Sequence, residues 1–125
     1  MPETIKQICV LDDDSSVLNS LKELLASDGF EAETFDSPDE FFAYTQDHAV
    51  KVAVLDVWMP ATNGIEVQER LHQLSPETQV IMITAREEAA VRAVALEGGA
   101  LAFLVKPFDD EAFLTLVRNA LSEVE

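Results

Sequence analysis

Four stretches of this chain end in side chains suited to chemistry. Asp12, Asp13 and Asp14 stand together after one apolar run, and Asp56 closes a second. Thr84 closes a third, and Lys106-Pro107 follows a fourth. Three carboxylates held close repel one another, and their pKa values rise unless a cation joins them. A hard divalent ion with oxygen ligands removes that cost, and Mg²⁺ suits a few carboxylates, waters and a phosphate. Thr84 offers a hydroxyl donor to an anion, and Lys106 a compact positive charge. The combination fits phosphoryl transfer, where positioning and charge neutralisation supply most of the catalysis. An aspartate can itself be the nucleophile.

Such chemistry needs these residues on one rim, so the elements matter. The runs Ile5–Leu11, Val50–Val57, Val80–Thr84 and Ala100–Val105 are short, continuous and rich in Val, Ile, Leu and Ala. That is the pattern of strands buried on both faces of a parallel sheet. Residues Glu31–Phe35 alternate polar and apolar, as an edge strand does. Helical stripes lie between. Ser15–Asp28 carries Val17, Leu18, Leu21, Leu24 and Leu25, with Gly29 as its stop. Ser37-Pro38 opens a second helix that turns Phe41 and Phe42 to the core. Gly64–Leu74, Glu87–Glu97 and Asp109–Val124 supply three more. Five strand–helix units predict an α/β fold with helices on both faces. At this length the expected form is a flavodoxin-like (βα)5 doubly wound parallel sheet, order 2-1-3-4-5. Ligands of such sheets bind beyond the carboxyl ends of the strands, where strand order reverses. Asp12, Asp13, Asp56, Thr84 and Lys106 all fall at those ends.

Composition sets the outer bounds. Residues 1–125 amount to one domain, large enough to bury roughly two-thirds of its unfolded surface. Cys9 is the only cysteine, so no internal disulfide forms; it reads as a small core residue. The net charge of -16 argues against nucleic-acid binding by this domain and against anionic membranes. No apolar run approaches the ~20 residues of a membrane helix, and no signal peptide is legible, so a cytoplasmic location is expected.

At these residues the chain resembles a family, the receiver domains of two-component response regulators. The resemblance rests on Val10-Leu11-Asp12-Asp13-Asp14, Leu55-Asp56-Val57-Trp58-Met59-Pro60, Asn63-Gly64, Ile83-Thr84-Ala85 and Lys106-Pro107-Phe108. It covers nearly the whole length and is nearest to receivers fused to DNA-binding output domains. It implies that Asp56 accepts a phosphoryl group from a sensor histidine kinase. It further implies Mg²⁺, with Mn²⁺ as a substitute, held by Asp13, Asp56 and the backbone carbonyl of Trp58, with Asp12 acting through a water. Thr84 and Lys106 would hold the phosphoryl oxygens, and Lys106-Pro107 would be a cis peptide. Phe103 occupies the aromatic switch position and would turn inward as Thr84 moves toward the phosphate. The output would be a changed surface of helix 4, strand 5 and helix 5, through which a homodimer can form. Such a protein is a signalling switch, with a transcriptional output, rather than a turnover enzyme. The chain ends just past its fifth helix, where an output domain is normally attached, so it reads as the receiver part of a longer regulator.

Plainer roles also have places. Asp14 reads as a helix N-cap rather than a ligand, and His48 and His72 as solvated. Trp58 and Arg86, each two residues beyond a site residue, are expected to flank the path of an attacking water and so tune the lifetime of the phosphoaspartate. Trp58 is expected to be partly exposed at the site mouth. Helix 4 is rich in small apolar residues, so shifting it would cost little packing energy.

Two other readings fit parts of the pattern. Asp12-x-Asp14 resembles the start of an aspartyl-nucleophile phosphohydrolase of the haloacid dehalogenase type, with Asp12 as nucleophile and Asp14 as acid. That reading leaves Asp56 without a role and lacks a cap domain. A nucleotide-binding module would need a Gly-rich loop where three aspartates instead repel phosphate.

Overall fold

The computed structural model describes residues 7–122. The elements alternate throughout: β1 (Ile8–Leu11), α1 (Ser15–Ser27), β2 (Ala32–Phe35), α2 (Pro38–Asp47), β3 (Val52–Asp56), α3 (Gly64–Leu74), β4 (Gln79–Thr84), α4 (Ala89–Glu97), β5 (Ala102–Val105) and α5 (Asp110–Ser122). The five strands form one parallel sheet in the order β2-β1-β3-β4-β5, as the sequence predicts. Strand order reverses between β1 and β3, which pair Leu11 with Leu55 and so bring Asp12 beside Asp56.

The continuous apolar runs have a simple cause. Side chains alternate between faces along a strand, and here both faces are covered. Cys9, Leu11, Ala53, Leu55 and Met82 join the cluster containing Phe41, Phe42, Val67, Leu71 and Phe103. Ile8, Val10, Val52, Val54, Ile81 and Ile83 join the cluster containing Leu18, Leu21, Leu25, Phe113 and Val117. Helices α2 to α4 thus cover one face, and α1 and α5 the other.

Caps account for most helix starts. Asp14 accepts the Ser16 N–H and Asn63 accepts the Glu66 N–H, while Ser37 caps α2. Asp109 accepts the Ala112 N–H before α5. Gly29 and Gly99 take φ of 87° and 106°, where a side chain would be strained.

Some boundaries differ from expectation. Val50 and Ala100 are buried but lie outside the strands; an apolar residue records burial, not membership of the hydrogen-bonded ladder. Glu87 and Glu88 precede α4 rather than belonging to it. Ile5 and Val124 fall outside the described residues. The expected weak anchoring of α4 is present, since Ala95 is its only fully buried residue. Among the described residues, no helix is long and apolar enough to cross a membrane.

Candidate functional site

The rim residues converge at the carboxyl ends of β1, β3, β4 and β5. One carboxylate oxygen from each of Asp12, Asp13 and Asp56 lies within 4.8 Å of the others. Asp12 is fully buried, Asp56 is 5% exposed, and Asp13 is exposed. The Asp12 carboxylate accepts the Asp14 N–H at 2.9 Å. Lys106, delivered by β5, donates to Asp12 Oδ2 at 3.1 Å and stands 3.6 Å from Asp56 Oδ1. Residues 94 positions apart therefore share one ion pair.

One ammonium cannot balance three carboxylates. Burial, reinforced by the charge of Asp12, pushes the Asp56 carboxyl up from 3.8 to about 7. Lys106 opposes that shift, and Asp13 adds to it. The cup is thus short of positive charge, and its oxygen-only donor set suits a hard divalent cation. A bound cation would offset the repulsion that, together with burial, raises the Asp56 carboxyl.

Thr84 ends β4, next to the strand that carries Asp56, and is buried. Its Oγ1 accepts the Arg86 N–H at 3.3 Å, and its backbone carbonyl accepts the Lys106 N–H at 2.7 Å. The Lys106-Pro107 peptide is cis. Trp58 is 45% exposed at the mouth. Its indole N–H donates to Glu88 at 3.2 Å, and the Arg86 guanidinium stands 6.0 Å from its ring centre. Arg86 also reaches Glu88 at 3.8 Å. Trp58, Arg86 and Glu88 therefore form a connected set just beyond the ends of β3 and β4.

Several placements refine the expectations. Phe103 is already buried on the sheet face, with the Arg92 guanidinium 5.0 Å from its ring centre. It needs no inward turn from the arrangement described. Asp14 caps α1, and hydrogen bonds from Ser16 hold its carboxyl below the usual range. Cys9 is buried and its thiol is pushed up to about 12, mainly by burial, so it is no nucleophile. His48 and His72 are exposed, and His48 stacks on Tyr44.

Gly64 carries a role that its sequence position only hinted at. Its N–H donates to the Val57 carbonyl at 2.7 Å. A Cβ there would lie 2.5 Å from the Asp56 carbonyl oxygen. Only glycine lets the start of α3 press against the backbone of Asp56. Asn63-Gly64 was legible as a helix opening, but the close approach exists only once β3 and α3 have packed.

Residues 8–118 match the family model described as "Response regulator receiver domain". The chain belongs to the response regulator receiver domains. Among curated relatives, the response regulator protein TodT of Pseudomonas putida is 34% identical over 121 residues, covering 97% of this chain and 53% of TodT. The transcriptional regulatory protein CpxR of Escherichia coli is 35% identical over 117 residues, covering 94% of this chain and 50% of CpxR. This receiver thus spans about half the length of the curated relatives it matches. A CheY-like receiver from Methanospirillum hungatei has a TM-score of 0.88 at 29% identity, with 95% of each chain covered. The beryllofluoride-activated receiver dimer of NtrC4 has a TM-score of 0.88 at 33% identity, covering 93% of this receiver and 96% of that one.

Proposed function

We infer that this receiver is a phosphoacceptor switch centred on Asp56. Residues 1–125 make up its one domain, the receiver part of a longer regulator whose output is transcriptional. The single observation that carries the reading is the cup itself. Asp12, Asp13 and Asp56 share it with the ammonium of Lys106, at the point where strand order reverses.

The steps follow from the side chains. A carboxylate oxygen of Asp56 attacks the phosphorus of a phosphohistidine on a sensor kinase. The P–N bond breaks, its electron pair returns to the imidazole, and an acyl phosphate remains on Asp56. Lys106 faces the oxygens that gain charge, and the Thr84 hydroxyl donates to another phosphoryl oxygen. Asp13, Asp56 and the Trp58 carbonyl would hold Mg²⁺, or Mn²⁺, with Asp12 reaching it through a water. The cation supplies charge neutralisation for acids and phosphoryl group together. Hydrolysis restores the carboxylate, and Trp58 and Arg86 screen the attacking water. The domain consumes its own phosphate slowly and is not a turnover enzyme.

The phosphate acts as a ligand that biases an existing equilibrium of α4, β5 and α5. Weak anchoring of α4 supports this, as does the exposure of Val94, Leu96 and Leu101. Phe103 and Thr84 link the cup to that surface, which also serves for a homodimer. The protein works in the cytoplasm, and this domain binds no nucleic acid itself.

The test is acyl phosphate with Mg²⁺, read by intact mass. One added phosphoryl group is expected, lost in Asp56→Asn with the fold intact. Retention of covalent phosphate in that variant would overturn the assignment. Sedimentation with a phosphate mimic tests the dimer, and an unchanged mass would refute it.

A further inference from the structure

The seam between α3 and α4 begins at Trp58, at the mouth of the acidic cup, and runs between the two helices toward Glu97 and Gly98. Ile65 of α3 and Val94 of α4 line two grooves of about 350 and 380 Å³. Ile65 and Val94 stand where the two grooves meet, so the pair makes one apolar strip along the seam. Trp58 and Val91 extend its floor. Val94 is 50% exposed, as a half-covered floor requires. Beneath the floor, the buried amide of Gln68 donates to the Ala95 carbonyl at 3.1 Å and ties the two helices together. Isolated exposed apolar residues are ordinary, but a contiguous apolar strip marks a contact surface.

The rim of this channel is acidic on balance. Glu66 and Glu69 of α3 and Glu97 of α4 line it, all exposed, beside His72; among the described residues no lysine or arginine lines it, although Arg86 stands over the Trp58 ring at its head. Such an edge repels acidic partners and anionic lipid. It also disfavours pairing with the same groove of a second copy, which carries the same glutamates. An occupant must therefore bring positive charge around an apolar stripe.

Shape selects its backbone. An added strand needs a sheet edge to pair with, and both walls here are helices that bond internally. A helical occupant satisfies its own backbone and lays one face into a groove. The 11 residues of α3 extend roughly 16 Å, about three helical turns.

We propose that the α3–α4 seam is a docking groove for a basic amphipathic helix of a partner protein. The helix places apolar residues at i, i+3 or i+4, and i+7 over Ile65 and Val94. Its flanking Lys or Arg residues meet Glu66, Glu69 and Glu97. The groove is open in the unphosphorylated protein, so its test needs no phosphoryl transfer.

The probe is a synthetic Leu/Lys helical peptide of about 14 residues, long enough to cover three turns. A peptide of the same composition, with the apolar stripe scrambled, is the control. Trp58 is the sole tryptophan and sits at the head of the groove, so its fluorescence reports binding. Saturable binding is expected, weakened about tenfold by scrambling and about tenfold by Val94→Glu, which buries an unpaired charge under the stripe. Glu69→Gln with Glu97→Gln should weaken it several-fold and flatten its salt dependence. Circular dichroism checks that each variant is folded; Val94 is half-exposed, so Val94→Glu is tolerated by the core. Equal binding of the scrambled peptide would reduce the effect to bulk charge and overturn the proposal. So would full binding to folded Val94→Glu. Self-association of the free protein that Val94→Glu abolishes would assign the groove to a second copy and overturn it equally.

Discussion

Replacing Asp56 by asparagine should stabilise the metal-free protein, and only above acid pH. The Asp56 carboxyl stands at about 7 in the folded chain against 3.8 ordinarily. The folded state therefore binds this proton more tightly than the unfolded state does. Well below pH 3.8 both states are protonated and the site costs nothing. As pH rises toward 7 the unfolded chain ionises first, and relative stability falls. Above about pH 8 the cost is constant. Three pKa units at 1.36 kcal/mol each give about 4 kcal/mol as an upper limit. Water entry and counter-ions relax the cup, so about 2 kcal/mol is expected. For a domain of this size that is on the order of 6–12 °C in Tm. The assay is thermal melting of wild type and Asp56→Asn in EDTA, from pH 4 to 8.5. The gap between the two should be small at pH 4 and open with an apparent midpoint below 7. Mg²⁺ at pH 8 should close it by raising the wild type alone. Equal melting at pH 8 without metal, or a gap indifferent to pH, would refute the electrostatic account of the cup.

Three other outcomes follow from the same geometry. Gly64→Ala should destabilise the protein by roughly 1–3 kcal/mol in urea titration, because its Cβ meets the Asp56 carbonyl at 2.5 Å; labelling by acyl phosphate should fall with it. Lys106→Met removes an ammonium facing Asp12 and Asp56; mass-monitored phosphorylation should slow on the order of a hundredfold, and a rate close to wild type would remove Lys106 from the phosphoryl site. Trp58→Asn opens the mouth and should speed loss of phosphate several-fold, by the screening argument, whereas an unchanged decay would show that the indole does not screen the bond.

Much of the fold was legible because both sheet faces are buried. Val52–Leu55 and Ile81–Ile83 read as continuous apolar runs for that reason, and the caps Asp14, Ser37 and Asn63 marked where helices begin. Strand ends were less legible, since Val50 and Ala100 are buried without belonging to the ladder. The start of α4 was misplaced by two residues. Glu87 and Glu88 favour a helix locally, but Glu87 is drawn to Arg92, and Glu88 to Trp58 and Arg86.

The sequence by itself determined the ingredients: three acids, a hydroxyl and an amine, each at the end of a strand-like run. Chain order and spacing were enough, because strand ends in a parallel sheet share one side. Only the tertiary structure decided how the charges balance. Lys106 reaches Asp12 across 94 residues and leaves Asp56 buried among like charges, which no local pattern records. Packing likewise decided that Gly64 must lack a side chain, that Phe103 lies inward, and that α3 and α4 leave an acidic apolar seam between them. Those features depend on distances between elements, and distances are set by the core that joins them.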